Sequence, residues 1–382
     1  MGQHAKYTFA EIEQHGPPVD PRQEETPPII FRAQRRPRVK IEMADGSTRD
    51  EYVYLMKDGP CAPRAYRRIP KSQKKTIEVK YGHVIFALQL DHVKDNVYQE
   101  SSSMVAIKKL HKAPFALYLE RGGHENPYNA ISRMQTIGDD DHVLSCIEAL
   151  EDDKYLYTVM PLCEGRSLLD LIQDGSGLME YETRSIYGKI LENLHYLQAH
   201  SICHHDLSPD NILQLKGKLV FCDLAMSFTV PNGNARRQLM APQGPYGKPP
   251  YWTPEVLVSR IPFDAYQLDV WATGCILYNL LTTMRLFLQP HSSDVLFRYF
   301  LMAGGLSNNP MNHRTVEVLI DTFHASENDR QALLERAMAH LRLSKDAVTL
   351  LRGVLQIHPR DRWTLAQIVE SEWMTRALGP DQ

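Results

Sequence analysis

The 382-residue chain carries 43 Lys+Arg against 46 Asp+Glu, a formal charge of −3, with 43% hydrophobic and 23% charged residues. That composition supports an ordinary packed core and excludes wholesale disorder. The near-neutral total gives no support to a chain that is basic throughout and coats nucleic acid, and no run approaches the ~18 consecutive apolar residues of a membrane span.

The opening stretch, MGQHAKYTFAEIEQ, lacks the apolar segment of a secretory signal. Gly2 invites myristoylation, but Lys6 stands where that motif wants Ser or Thr. Cys61, Cys146, Cys163, Cys203, Cys222 and Cys275 are scattered with no CxxC pair. They read as reduced thiols of an intracellular protein, in the cytoplasm or the nucleus. Residues 1 to about 38 are broken by Pro17, Pro18, Pro21, Pro27, Pro28 and Pro37, lack apolar periodicity, and read as a poorly ordered leader. Two alternating runs around Asp45-Gly46 (39–55) predict a β-hairpin, and 64–75 reads as a basic connector. This makes 1–75 an N-terminal extension.

From residue 76 the pattern changes. TIEVKYGHVIFALQL, MVAIKKL and YLYTVMPL predict strands, with one helix, NPYNAISRMQTI, among them. Beyond 162 the helical patterns prevail: TRSIYGKILENLHYLQAH, DVWATGCILYNLLTTM, DVLFRYFLMA, DRQALLERAMAHL and KDAVTLLRGVL. Strands first and helices second predict an α+β protein of two lobes, with a ligand cleft between them as a natural expectation.

The chemistry concentrates in His204-His205-Asp206-Leu207-Ser208-Pro209-Asp210-Asn211 and in Asp223, which ends a strand. Asn211 and Asp223 supply the hard oxygens that Mg²⁺ prefers, and Asp206 is free to orient and deprotonate a hydroxyl. Asp, Asn, Ser and Pro also populate turns, which is the alternative reading of these residues taken alone.

Further motifs bear on that choice. Over roughly 76–375 the chain resembles the eukaryotic protein-kinase family. HHDLSPDN matches the H-R-D-L-x-x-x-N pattern, Asp223-Leu224-Ala225 stands for D-F-G, Val105-Ala106-Ile107-Lys108 matches V-A-I-K, and Thr253-Pro254-Glu255 stands for A-P-E. DVWATGC and Arg362 match the family's later motifs. The resemblance implies a bilobal protein-kinase fold, with a small β-rich N-lobe (76–160) and a larger helical C-lobe (161–375). It also implies ATP and Mg²⁺ as cofactors and protein substrates as partners. Strand alternation puts Ala106 and Lys108 on one face and Lys109 on the other, where a solvated lysine is expected. Aligned with the family, Gly82 and Val84 end the glycine-rich loop and Met160 is the gatekeeper. Pro161 offers a carbonyl and Cys163 an N–H to adenine. Asp269 is implied to bind backbone N–H groups of the catalytic loop, and Glu255 and Arg362 to form a buried ion pair.

Four departures stand out. Ile77 and Val79 replace the loop's first two glycines, which implies a stiffer strand and a looser phosphate clamp. The position of the helix glutamate that should pair with Lys108 is Ala130, and Glu125 falls outside the helix because of Pro127. The catalytic-loop lysine is Ser208 while the P+1-loop threonine is Lys248, as if lysine and hydroxyl had been exchanged, so Lys248 is assigned the γ-phosphate charge, with a lysine merely facing substrate or solvent as the alternative. His205 replaces the phosphate-reading arginine, and hydroxyls between Asp223 and Glu255 are few, so switching by activation-loop phosphorylation is expected less than is usual in the family, with Arg236 and Arg237 as the alternative phosphate readers.

Three functions compete: an active kinase acting on Ser/Thr hydroxyls, a pseudokinase serving as a nucleotide-binding or scaffolding module, and a small-molecule kinase with a related core. The first is preferred because Lys108, Asp206, Asn211 and Asp223 are all present. Residues 30–80 hold 14 Lys+Arg against 6 Asp+Glu, a balance of +8, which leaves the rest at −11. This basic neck is expected to dock on an acidic partner or a membrane surface or to pack on its own body, and it makes 1–75 the first region to truncate.

Overall fold

The computed structural model describes residues 26–376 except 60, 175–177, 231, 234–235, 238, 242–245, 259–261 and, within 303–341, all but 328 and 335. It is an α+β structure of two compact units, Glu25–Gly165 with Gln214–Ala225, and Arg166–Leu213 with the described residues from Met226 onward. Apart from Glu335, the helix expected over 329–341 lies outside the described residues.

The first unit is built on ten strands: β1 (Phe31–Arg35), β2 (Arg38–Glu42), β3 (Thr48–Tyr52), β4 (Leu55–Lys57), β5 (Arg64–Arg68), β6 (Ile77–Val79), β7 (Gly82–Lys94), β8 (Val97–His111), β9 (Glu148–Glu151) and β10 (Tyr155–Pro161). Their order is β3-β2-β8-β10-β9-β1-β4-β5-β7-β6, and β7 also pairs with β8. Seven strands therefore close on themselves as a barrel: β8, β10, β9, β1, β4, β5 and β7. Alternation fills its centre with Leu55, Tyr66, Ile85, Ala87, Val105, Ile107, Leu150, Tyr157 and Val159. A second core, around Val39, Ile41, Val53, Met56, Ala65, Leu90 and Tyr98, lies where β2 joins β8.

Closure depends on the N-terminal extension. The hairpin predicted at 39–55 is present as β2 and β3, paired from Arg38↔Tyr52 to Glu42↔Thr48. It braces the sheet. The connector expected at 64–75 is half strand, since β5 pairs with β7 from Arg64↔Asp91 to Arg68↔Ala87. The leader expected up to 38 contributes β1, seated between β4 and β9. No break between bodies falls at 75/76. β1 and β5 escape sequence reading because FRAQR and RAYRR carry arginines at positions where alternation would show apolar residues. The buried Glu148 accepts a hydrogen bond from the Tyr66 hydroxyl, joining β9 to the extension. Burial pushes that carboxyl upward against the pull of Tyr66.

Two helices follow β8, α1 (Lys112–Glu120) and α2 (Pro127–Ile137); only the second was expected. α1 has an apolar face of one buried residue, Phe115, too little for a periodic signal. α2 starts at Pro127, with Asn126 as N-cap accepting from the Tyr128 N–H at 3.0 Å.

The second unit is helical: α3 (Leu168–Gln173), α4 (Glu180–Ala199), α5 (Pro254–Val258), α6 (Ala265–Thr282), α7 (Val295–Met302), α8 (Lys345–Val354), α9 (Leu365–Val369) and α10 (Glu372–Thr375). α6 is buried nearly all round, as its sequence predicts. Glu180, opening α4, accepts from the Ser344 N–H and hydroxyl, both at 2.8 Å, and from the Trp373 indole at 2.9 Å, so one carboxylate ties α4 to α8 and α10. Among the described residues no helix is long and apolar enough to cross a membrane, and all six cysteines are free thiols.

Candidate active site

In the first unit, the register of β7, β8 and β10 sets Val84 opposite Lys108, and Phe86 opposite Ala106, itself opposite Met160. Directly opposed residues share a side of the sheet. Val84, Ala106, Lys108 and Met160 therefore line the outer surface of the barrel wall, while Val105 and Ile107 face in. Gly82 is required locally, because a Cβ there would run into the Lys109 backbone carbonyl. Ile77 and Val79 form a regular three-residue strand on β7. After β10 and Pro161, the Leu162 N–H donates to the Met104 carbonyl at 3.2 Å. Burial, followed by Glu164, pushes the Cys163 thiol up to about 11, so it stays protonated and inert near neutral pH.

Lys108 Nζ donates to Asp223 Oδ1 at 2.8 Å. Burial pulls the lysine pKa down, but the charge and hydrogen bond of Asp223, with help from Glu125, outweigh it and the net shift is upward. Asp223 holds φ +61°, a left-handed backbone uncommon outside glycine. The acid facing Lys108 is thus Asp223. Ala130 is buried in α2 and offers nothing. Glu125 precedes the helix, as Pro127 implied, and pairs with Lys80 at 2.8 Å in the β6–β7 turn. Lys80 was not anticipated, since nothing in its local sequence marks a partner that lies 45 residues on. The Asn126 N–H donates to the Ala225 carbonyl at 2.8 Å, fixing the segment after Asp223.

In the second unit, the carboxylate of Asp206 is held from two sides. Asn211 Nδ2 donates to its Oδ2 at 3.0 Å and to its carbonyl at 2.7 Å, and the Lys248 N–H donates to its Oδ1 at 3.1 Å. The Lys248 ammonium donates to Ser208 Oγ at 2.8 Å and to Asn211 Oδ1 at 3.4 Å, and pairs with Asp210 at 3.2 Å. The exchanged lysine and hydroxyl therefore do meet. Asp210 as a third partner was not foreseen. Below them, Asp269 accepts from the N–H groups of His204 (2.7 Å) and His205 (2.9 Å), as the resemblance implied. Complete burial still pushes its carboxyl up, against the His204 charge and those N–H bonds. His205, at φ +62°, packs edge-on against Phe228 and Tyr246, so the position of a phosphate-reading arginine is given to aromatic packing.

Sequence reasoning also missed Gly247. It sits at φ +79°, and a Cβ there would lie 2.6 Å from Asp206 Oδ1. Its only signal is its place immediately before Lys248. Gly247→Ala is expected to displace the Asp206 carboxylate and to cost any reaction in which that carboxylate takes a proton on the order of tenfold or more in rate, with a small change in melting temperature, as read by turnover assays beside thermal melts.

Asn211 in the second unit and Asp223 in the first each carry a side-chain oxygen of the hard kind that Mg²⁺ prefers. Among the described residues no group of three or more His, Cys, Asp or Glu side chains could hold a metal without help.

A family model described as "Protein kinase domain" matches residues 90–374. The chain belongs to the protein kinase family. The match begins beyond Gly82 and Val84, which leaves out the stretch where Ile77 and Val79 depart from the glycine pattern. Sperm motility kinase 2B of Mus musculus is 28% identical over 255 residues, 66% of this chain and 44% of the relative. A "Probable serine/threonine-protein kinase" of Dictyostelium discoideum is 28% identical over 62% of this chain and 24% of its own length. Cyclin-dependent kinase-like 4 of Homo sapiens is 25% identical over 61% and 59%. The chain thus spans less than half the length of the sperm motility kinases it matches.

Proposed function

We propose that this kinase-family chain transfers the γ-phosphoryl group of ATP, in the presence of Mg²⁺, to Ser/Thr hydroxyls of protein substrates, with the two units as the small and large lobes of the kinase fold. The observation that carries this is the Asp206 carboxylate, fixed by Asn211 Nδ2 and the Lys248 N–H. A carboxylate held in one orientation by donors on each oxygen is ready to accept a proton from an incoming hydroxyl. Pro161 and Cys163 are the adenine-facing backbone groups, with Val84, Ala106 and Met160 as apolar contacts. Lys108, already paired with one carboxylate, is the phosphate-binding cation, and Lys248 supplies charge to the γ-phosphate. Asn211 and Asp223 are the proposed Mg²⁺ ligands, and the ion when bound neutralises charge on the phosphate oxygens.

A pseudokinase is the second reading, favoured by Ala130 and by the β-branched Ile77 and Val79. One experiment separates the two. Wild type and Asp206→Asn are incubated with Mg²⁺ and radiolabelled ATP, and label is followed to the chain itself and to generic protein substrates. Label transferred by wild type and lost in Asp206→Asn is the expected result. Thermal stabilisation by ATP with no transfer from wild type overturns catalysis and leaves the nucleotide-binding module. Phosphoamino-acid analysis of the product reads Ser/Thr against Tyr.

A further inference from the structure

One end of the barrel breaks the pattern of its interior. Along β8 the inward positions run Val105, Ile107, Lys109, and His83 pairs with Lys109 across β7. On β5, Arg68 follows Tyr66 on the same side, and on β1, Arg35 follows Ala33, which packs on the barrel core. Positions that carry aliphatic and aromatic side chains at the centre carry cations at this mouth. A cavity of about 660 Å³ opens there, and Arg36 and Lys71 add to its wall. Glu78 is the one acid in the lining.

These cations are poorly compensated. Arg35 pairs with Asp152 at 3.2 Å. Among the described residues no carboxylate lies within salt-bridge distance of Arg36, Arg68, Lys71 or Lys109. Aromatic rings flank three of the cations: Lys109 Nζ stands 3.7 Å over the Tyr155 ring, Arg35 lies 5.2 Å from the same ring, and Arg68, which also donates to the Thr76 hydroxyl at 3.3 Å, lies 5.8 Å from Tyr54. Lys109 is therefore no freely solvated surface lysine. Burial lowers the pKa of His83 and of Lys109, and each is lowered further by a neighbouring cation, Lys109 for the first and Arg35 for the second. Arg36 holds φ +52°, an uncommon backbone for arginine.

We propose that this barrel mouth binds a compact, multiply phosphorylated molecule, either free or as a lipid headgroup. The volume falls within the roughly 300–1,000 Å³ of small-molecule sites, and barrel mouths are a recurrent place for them. Three guanidinium forks suit phosphate bidentately, and five cations plus His83 exceed what one phosphate group would neutralise. The proposal stands apart from the kinase reading, since Lys109 and Lys108 project from opposite faces of β8. Four of the cations, Arg35, Arg36, Arg68 and Lys71, belong to the basic neck, which gives that charge a purpose.

The test uses the full chain without nucleotide. One arm titrates it with myo-inositol hexakisphosphate by calorimetry. The other sediments it with phosphatidylcholine vesicles with and without phosphatidylinositol 4,5-bisphosphate. One-to-one binding in either arm is expected, the arm that responds naming the source. Affinity should fall at least tenfold in Arg68→Gln/Lys109→Met and stay unchanged in Lys108→Met. The His83 pKa, followed by NMR, should rise in wild type as the occupant neutralises its neighbours, which keeps the test decisive even where the double variant folds poorly. Absence of binding in both arms, equal binding by the double variant, loss of binding in Lys108→Met, or an unmoved His83 titration would each overturn the proposal.

Discussion

Arg362→Met is expected to destabilise the helical unit by about 3–5 kcal/mol. The guanidinium makes both bonds of a fork to Glu255, 2.9 Å and 3.1 Å, with neither side chain more than 4% exposed. It also donates to the Gln267 carbonyl at 2.7 Å and the Gln356 carbonyl at 3.1 Å, and lies over the Trp271 ring. Removing it strands a carboxylate in the interior beside two carbonyls that lose their donor, and a stranded charge costs more than the pair contributes. Glu255→Leu/Arg362→Met should therefore recover a large part of the loss. Recovery is incomplete because the Gln267 and Gln356 carbonyls stay unsatisfied. Urea denaturation of wild type, single and double variants measures this. A single variant no less stable than the double would contradict the account.

Lys248→Thr is expected to lower phosphoryl transfer by roughly 10²–10³-fold, the scale of losing one preorganised charge or donor at a transition state. The ammonium reaches Ser208, Asn211 and Asp210, and so holds a cation beside Asp206 from the opposite loop to the one that usually supplies it. The informative variant is Ser208→Lys/Lys248→Thr, which returns each residue to the family's arrangement. The double variant should regain most of the lost rate, with the loss and the recovery both in kcat. The Lys248 N–H to Asp206 persists in each variant, so Asp206 is not the quantity being varied. Wild-type rates in Lys248→Thr alone would return Lys248 to the role of a bystander.

The legible parts of the chain were those governed by local period or by side chains that must be particular. The buried α6 and α4 showed their helical patterns, and β7, β8 and β10 showed as strand-like runs whose alternation put Ala106 and Lys108 on one face. Asp206, Asn211, Asp223 and Lys108 stood out by their place in the motifs, and they are the residues to which the proposed chemistry is assigned. The meeting of Lys248 with Ser208 was readable because two departures from one pattern compensated. Illegible were features that depend on closure at long range. β1 and β5 carry arginines toward a cavity, so their alternation is disguised by the very residues that matter there. Lys108 finds its carboxylate 115 residues away in Asp223, a contact no spacing rule could supply. Gly247 is dictated by how near a carboxylate lies, and the letter G alone does not say so.

The closed ring of seven strands also fixes where this domain can be divided. A chain beginning at residue 76 would lose β1, β4 and β5 together. β9 would then have an open edge beyond Leu150, β7 would have one along Ala87–Asp91, and Tyr157 and Leu150 would face water. Unpaired, apolar strand edges recruit other copies in the same state. The motifs of the family resemblance all lie after residue 76, yet the smallest length of chain expected to stay monodisperse starts before Phe31. Proteolysis or splicing between those points would yield aggregate where the motifs alone promise a trimmed enzyme.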